Sequence, residues 1–425
     1  MVVYSSMLRV LVRFTLVGAV LGALVAPPDA FARRAPTSTE SGGPMPHVAP
    51  ESVGMSSSRL AGIDEAVRRG ISAGGFPGAA VIVGRHGAIV WERGYGTLDW
   101  RPGITVDAER TMYDVASLTK VVATTAAAMV LVDRGKLKLD EYVAHYLPGF
   151  SGGGKGEITI RQLLTHRSGL PSGRDLSIKA GPEAARKAVL ATSLDREPGS
   201  MTEYSDLGPD VLGFVIERIT GEPLDQFVRR TVYGPLGMRS TMFRPPSALR
   251  PRIAPTTGLA TRGEVHDGNA RALGGVAGHA GLFATASDLA IFAQLMLDTG
   301  TVRRPFSNSI AREFTQPGPG WRGLGWQTCP GDGSCGQYLS SHAFGHTGFT
   351  GTSMWIDPER DMFVIVLTNW VYGRASGGVA PVAIVHDVRA DIVDLAALSI
   401  KDAGLALTPP WRWRTESQNG WWSSN

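Results

Sequence analysis

The chain has 425 residues, 43% of them hydrophobic and 19% charged, which is globular composition at a length that calls for one large domain or two interleaved ones. Its net charge is only +4 and, despite a pI near 9.1, no dense Lys/Arg block is present, which argues against a nucleic-acid partner. Two cysteines are too few for a disulfide framework.

The first 32 residues read as an export signal. Arg9 and Arg13 precede an apolar run from Phe14 to Ala26, and Ala30-Phe31-Ala32 offers a small-x-small cleavage site. The location expected from this is periplasmic or secreted, and a membrane partner is expected only if the segment stays uncleaved. Residues 33–50, rich in Pro, Ser, Thr and Gly, should form a flexible leader. Leu60, Ile63 and Val67 then recur at helical spacing between Ser56 and Arg69. Two β-rich runs, Ala79 to Val83 and Ala88 to Trp91, flank Arg85-His86-Gly87 and predict a hairpin.

The next segment carries the chemistry. From Leu118 to Val132 there is no Gly or Pro, and Gly135 follows as a stop, so a helix is expected with Ser117 at its start and Lys120 one turn on. Free backbone N–H groups at a helix start favour developing negative charge. A serine hydroxyl alone is a poor nucleophile, but an adjacent amine neutralised by burial would take its proton. The bare spacing also fits a helix N-cap followed by a solvated lysine.

The stretch from Leu137 to Asp298 is mostly helical in signal. It contains Glu203-Tyr204-Ser205-Asp206, where a tyrosine precedes a helical run and brings a phenol. Strand signals resume at Thr352 to Ile356 and Met362 to Leu367, turned by Asp357-Pro358-Glu359-Arg360, and a helical pattern runs from Val379 to Leu398. Just before the first of these strands, Gly345-His346-Thr347-Gly348-Phe349 permits close approach to the backbone and offers a hydroxyl and an imidazole. With β material at both ends, the expected fold is α/β plus all-α: an antiparallel sheet flanked by helices (about 51–122 and 305–400) with a helical part (about 123–304) inserted. Cys329 and Cys335, close together in an exported chain, are expected to pair as a local clamp contributing roughly 2 kcal/mol. The tail 401–425 holds Trp411, Trp413, Trp421 and Trp422, with packing on the body, contact with a membrane surface and glycan binding as its alternative roles, packing being the favoured one.

Other local signals lack their context. Gly70-Ile71-Ser72-Ala73-Gly74 and Gly149-Phe150-Ser151-Gly152-Gly153 match a nucleophile elbow literally, but neither follows a strand. Gly149 to Lys155 fits the start of a phosphate-binding loop, yet Gly156 stands where Ser or Thr is needed. His166, His266, His279 and His346 show no metal-ligand spacing, so no metal and no cofactor is expected.

The three stretches together resemble the penicillin-recognising serine hydrolases: class C β-lactamases, D-alanyl-D-alanine carboxypeptidases and β-lactamase-like carboxylesterases. That family carries Ser-x-x-Lys, Tyr-x-Asn and Lys-Thr-Gly or His-Thr-Gly. This chain has Ser117 with Lys120, Tyr204 with Asp206, and His346-Thr347-Gly348, with support from Leu163–Leu170 and from Gly274–Leu282, which is similar to a segment of penicillin-binding protein 4B-like members. The resemblance spans roughly Pro50 to Leu398. It implies the β-lactamase/transpeptidase fold, a Ser117 acyl-enzyme, Lys120 and Tyr204 as a shared base, and an oxyanion hole from the amides of Ser117 and Phe349.

Two departures bear on substrate. Asp206 replaces the usual amide, removing a donor and adding repulsion toward anions. His346 replaces the lysine of true class C enzymes, so its hold on a substrate carboxylate should weaken above neutrality unless another cation lies nearby. Both point to a D-alanyl-type peptide or a small ester, with a peptidoglycan-derived peptide as the natural partner. A β-lactamase and a non-catalytic peptidoglycan or β-lactam receptor are the alternatives.

Overall fold

The structure, a computed structural model, describes residues 45–297, 304–329, 334–373 and 378–402, all within one compact unit. The predicted export signal and almost all of the Trp-rich tail lie outside the described residues, and among these no helix is long and apolar enough to cross a membrane.

Among the described residues nine strands form two sheets: β1 (Gly78–Arg85), β2 (Ala88–Gly96), β3 (Tyr113–Asp114), β4 (Met242–Phe243), β5 (Leu282–Ala284), β6 (Gln327–Thr328), β7 (Phe344–Gly348), β8 (Thr352–Asp357) and β9 (Met362–Thr368). The larger is antiparallel in the order β2-β1-β9-β8-β7-β6. The N-terminal hairpin therefore pairs with C-terminal strands, through β1 on β9. Its turn places His86 and Gly87 at φ of 52° and 78°, the two left-handed residues that a tight two-residue hairpin requires. The β8–β9 turn closes differently, with the Asp357 carboxylate accepting the N–H groups of Glu359 and Arg360.

Both faces of this sheet are covered, which is why β1 and β9 read as unbroken apolar runs. Alternation along the strands still divides the core. Ala79, Val81 and Val83 join Met362, Val364 and Val366 on one face, while Ala80 and Ile82 join Phe363, Ile365 and Leu367 on the other. The first face packs on helices α1 (Gly62–Ser72) and α5 (Val382–Leu398), and the second on α4 (Ala286–Leu297). Most of the remaining described helices, including α2 (Ala126–Asp133) and α3 (Leu207–Thr220), gather in the middle of the chain. Gly70, which opens one of the literal elbow matches, lies inside α1: a Cβ there would lie 2.7 Å from the Phe76 ring and 2.9 Å from Val388, so the glycine lets α1 approach its neighbours.

Several expectations are corrected. The leader is not flexible to residue 50, because Val48 donates to the Ile89 carbonyl and Ile89 to that of Pro46, adding a short extension beside β2. The mostly helical range 123–304 also holds strands. It contains β4 and β5, which join β3 in the order β3-β5-β4, and α4, which lies on the large sheet. Two- and three-residue strands carry too little alternation to be read from sequence. Cys329 and Cys335 are paired as a disulfide, with Cα atoms 6.2 Å apart.

Candidate active site

Ser117 follows β3 through an unusual backbone step. The Asp114 carboxylate accepts the Ala116 N–H at 2.9 Å, and Ala116 adopts φ of 47°, a left-handed conformation costly for a residue with a Cβ. The chain then winds through tight turns (Leu118 N–H to Val115 O, Thr119 N–H to Ala116 O, Lys120 N–H to Ser117 O) into a π-helical turn, Lys120–Thr125, before relaxing into α2. Such π turns concentrate at functional sites.

Three side chains converge there. Lys120 Nζ donates to Ser117 Oγ at 3.0 Å and the Tyr204 hydroxyl donates to the same oxygen at 3.0 Å. Lys120 is only 2% exposed and also donates to the His279 carbonyl at 3.2 Å. Its third neighbour is the Asp206 carboxylate, at 2.7 Å. Burial opposes charge on Lys120, but the charges of Tyr204 and Asp206 and their hydrogen bonds outweigh it and hold the amine above its ordinary value. These partners favour its charged form, against the neutralisation by burial expected from the sequence. Asp206 is likewise turned toward Lys120, which sequence spacing alone does not reveal.

Tyr204 is held on several sides. His166 packs against its ring at 4.7 Å between centroids and accepts the Ser205 N–H through Nδ1 at 3.1 Å. Burial, aided by the positive charges of Arg322 and Lys120, drives His166 well below the usual histidine range, so it stays neutral and its Nδ1 remains an acceptor. The Arg322 guanidinium sits 5.3 Å from the Tyr204 ring centre on cation–π terms.

The other wall is the end of β7. Strand β6 pairs only with Phe344 and Gly345, so among the described residues Thr347 and Gly348 have no strand neighbour on that side. Gly348 cannot be replaced, because a Cβ would lie 2.1 Å from Thr352 Oγ1 and 2.4 Å from the Val115 carbonyl. Thr350 and Thr352 donate through their hydroxyls to the carbonyls of Asp114 and Val115, locking the β7–β8 turn to the segment that delivers Ser117. The amides of Ser117 and Phe349 donate to no other described residue. His346 is buried at 2% exposure with Nδ1 2.7 Å from the Thr347 carbonyl. The fixed cations that sequence spacing missed are Arg322 and Arg389, the latter donating to the Gly348 carbonyl at 2.7 Å. They line the cavity with Ser117, so a substrate carboxylate need not depend on His346.

The cavity measures about 540 Å³ and takes in Ser117, Tyr204, Asp206, Thr347, Gly348 and Phe349, which is 64% exposed and meets Trp370 edge-on. The remaining two histidines are accounted for here. His266 lies over Phe349, its N–H bonded to Asp114, and His279 is buried between Asp210 (2.8 Å) and Asp267 (3.0 Å). The group of potential metal donors found among the described residues, His47, Glu92 and Glu109, includes none of these histidines and lies outside this cavity. Ser72 and Ser151 also lie outside it.

Burial alone would depress His279, but the charge and hydrogen bond of Asp210 and the hydrogen bond of Asp267 push it up from 6.5 to about 10. A group raised on folding stabilises fully below its unfolded value and loses that contribution as pH climbs through the folded one. Conformational stability should therefore fall between pH 6.5 and about 10, and Asp210→Asn should flatten that decline. Urea midpoints measured across this range check it; identical slopes in the two proteins would contradict it.

A serine, a lysine and a tyrosine meeting beside the edge of a helix-covered antiparallel sheet, with a helical region inserted, define a serine hydrolase of the acyl-transferring kind. The β-lactamase family model matches residues 63–388, and the chain belongs to that family. It is 34% identical over 367 residues to an N-acetylmuramyl-L-alanine amidase of Bacillus subtilis (strain 168), covering 75% of this chain and 82% of the relative. It is also 34% identical over 404 residues to a Salmonella typhi protein provisionally named D-alanyl-D-alanine carboxypeptidase, covering 84% and 91%. Among solved structures it is similar to EstCE1, a hydrolase with promiscuous acyltransferase activity, with a TM-score of 0.63, 25% identity and coverage of 80% of this chain and 99% of that one. The family's β-lactamase/transpeptidase-like fold, an antiparallel sheet with flanking helices, is the fold described above.

Proposed function

We propose that the chain is an exported serine acyl-hydrolase, periplasmic or secreted, that acts through a Ser117 acyl-enzyme on a D-alanyl-type peptide or a small ester. The observation that carries this reading is the placement of Lys120 Nζ and the Tyr204 hydroxyl, each 3.0 Å from Ser117 Oγ. Names of relatives that act on cell-wall muramyl and D-alanyl groups support the peptide class, and the EstCE1 likeness supports ester cleavage.

Lys120 and Tyr204, both at hydrogen-bond distance from Ser117 Oγ, share the proton that the hydroxyl gives up as it attacks. Ser117 Oγ bonds to the carbonyl carbon, and the amides of Ser117 and Phe349 receive the oxyanion; one such donor is typically worth about 3 kcal/mol. Tyr204 then returns the proton to the leaving group. Water repeats the sequence on the acyl-enzyme, releasing the acid and restoring the serine.

The test is a parallel kcat/KM comparison on short-chain aryl esters, a D-alanyl-D-alanine peptide and a chromogenic cephalosporin. The peptide or the ester should lead. A cephalosporin value about 100-fold above both, about 2.7 kcal/mol of transition-state stabilisation, would make the chain a β-lactamase instead. No turnover of any of the three, with tight binding, would make it a receptor.

A further inference from the structure

We propose that the site selects acyl groups that carry a free ammonium close to the scissile carbonyl, that is, aminoacyl amides and esters and peptides with an unblocked amine there, and that Asp267 receives that ammonium. This rests on the serine-hydrolase reading of the same cavity and narrows its substrate.

Asp267 is fixed as few surface carboxylates are. Its Oδ1 accepts the Ala270 N–H at 2.8 Å, capping the short helix Gly268–Ala272, and meets His279 Nε2 at 3.0 Å. Both of those contacts fall on one oxygen, and the side chain, 36% exposed, lines the cavity that also holds Ser117. The partnership with His279 keeps this carboxylate ionised far below the usual range, burial notwithstanding.

Its direct partners do not cancel it, and the cavity's two arginines, Arg322 and Arg389, come from other elements. Asp206 is matched by Lys120, and Asp210 and Asp267 share a single imidazolium, which leaves one negative charge over. Asp114, on the same cavity, adds a second as it ionises, its buried carboxyl being pushed up to about 6. Arg271 acts on Asp114 and His266, but it lines a separate cavity. Asp267 and Ser117 line the same cavity, about 540 Å³ in volume.

The direction of binding follows from the cations. Arg322 and Arg389 line the cavity from the turn before β6 and from α5. In peptide cleavage the departing residue carries the carboxylate, which Asp267 repels and the arginines attract. The ammonium therefore belongs to the acyl part that becomes attached to Ser117.

The experiment compares D-alanine 4-nitroanilide with its N-acetyl counterpart at about pH 6.5, where most of an α-amine is protonated. The free amine should be preferred in kcat/KM by about tenfold or more, the scale of one charge-assisted hydrogen bond. In Asp267→Asn, which keeps Oδ1 as an acceptor, the ratio should fall toward unity. Equal rates for the two substrates with the unaltered enzyme, or an unchanged ratio in the variant, would overturn the proposal. An uncharged fluorophosphonate separates the two failures: if it still labels Ser117, the hydrolase reading stands and only the ammonium selectivity is lost.

Discussion

Ser117→Ala should abolish hydrolysis, with kcat falling by about 10⁵-fold or more, while the protein keeps its fold and still binds ligand in the cavity. Removal of the nucleophile from other serine hydrolases has effects of that size, because nothing else in such a site can form the covalent intermediate. Folding should survive since Ser117 is only partly buried and its Oγ bonds only to Lys120 and Tyr204. Ser72→Ala and Ser151→Ala should be silent, both serines lying outside the cavity. Steady-state rates and thermal unfolding of the three variants check this; loss of activity in either control with retention in Ser117→Ala would reverse the assignment.

Tyr204→Phe should slow acylation by about 100-fold or more, the scale of a lost general base, with a smaller effect on binding. Lys120→Ala should cost at least as much, for an added reason. Buried Lys120 Nζ faces Ser117 Oγ and the Asp206 carboxylate together, so its removal leaves that carboxylate without its partner beside the oxygen that must become negative. Single-turnover acylation rates distinguish chemistry from binding. Unchanged rates in both variants would remove tyrosine and lysine from the mechanism.

How far the site could be read in advance depends on the range of its interactions. Ser117 and Lys120 are one helical turn apart, so their meeting follows from local geometry. The hairpin at His86-Gly87 and the turn at Asp357 were legible for the same reason: glycine after a turn residue, and aspartate ahead of two free N–H groups. Tyr204 and the β7 end could be joined to Ser117 only by resemblance, since no rule of spacing brings residues 87 and more positions apart together. The protonation of Lys120 was not legible at all. It depends on which way Asp206 points and on the balance of burial against nearby charge, and sequence specifies neither. Asp114 escaped notice because its β3 is two residues long, and the pairing of His279 because its partners, Asp210 and Asp267, lie 69 and 12 positions away on separate segments. Gly278 shows what the sequence held in plain view: a Cβ there would come within 1.9 Å of the Pro209 carbonyl, so the glycine lets the loop bearing His279 lie against α3.

The most direct measurement is to trap the covalent intermediate. The purified protein is incubated with a fluorophosphonate and, separately, with a slowly deacylating aryl ester, quenched in acid, and its mass and proteolytic fragments are determined. A single adduct on the fragment carrying Ser117, absent from Ser117→Ala, is the predicted result. An adduct on another serine, or catalytic turnover with no covalent species at any time after mixing, would contradict the account.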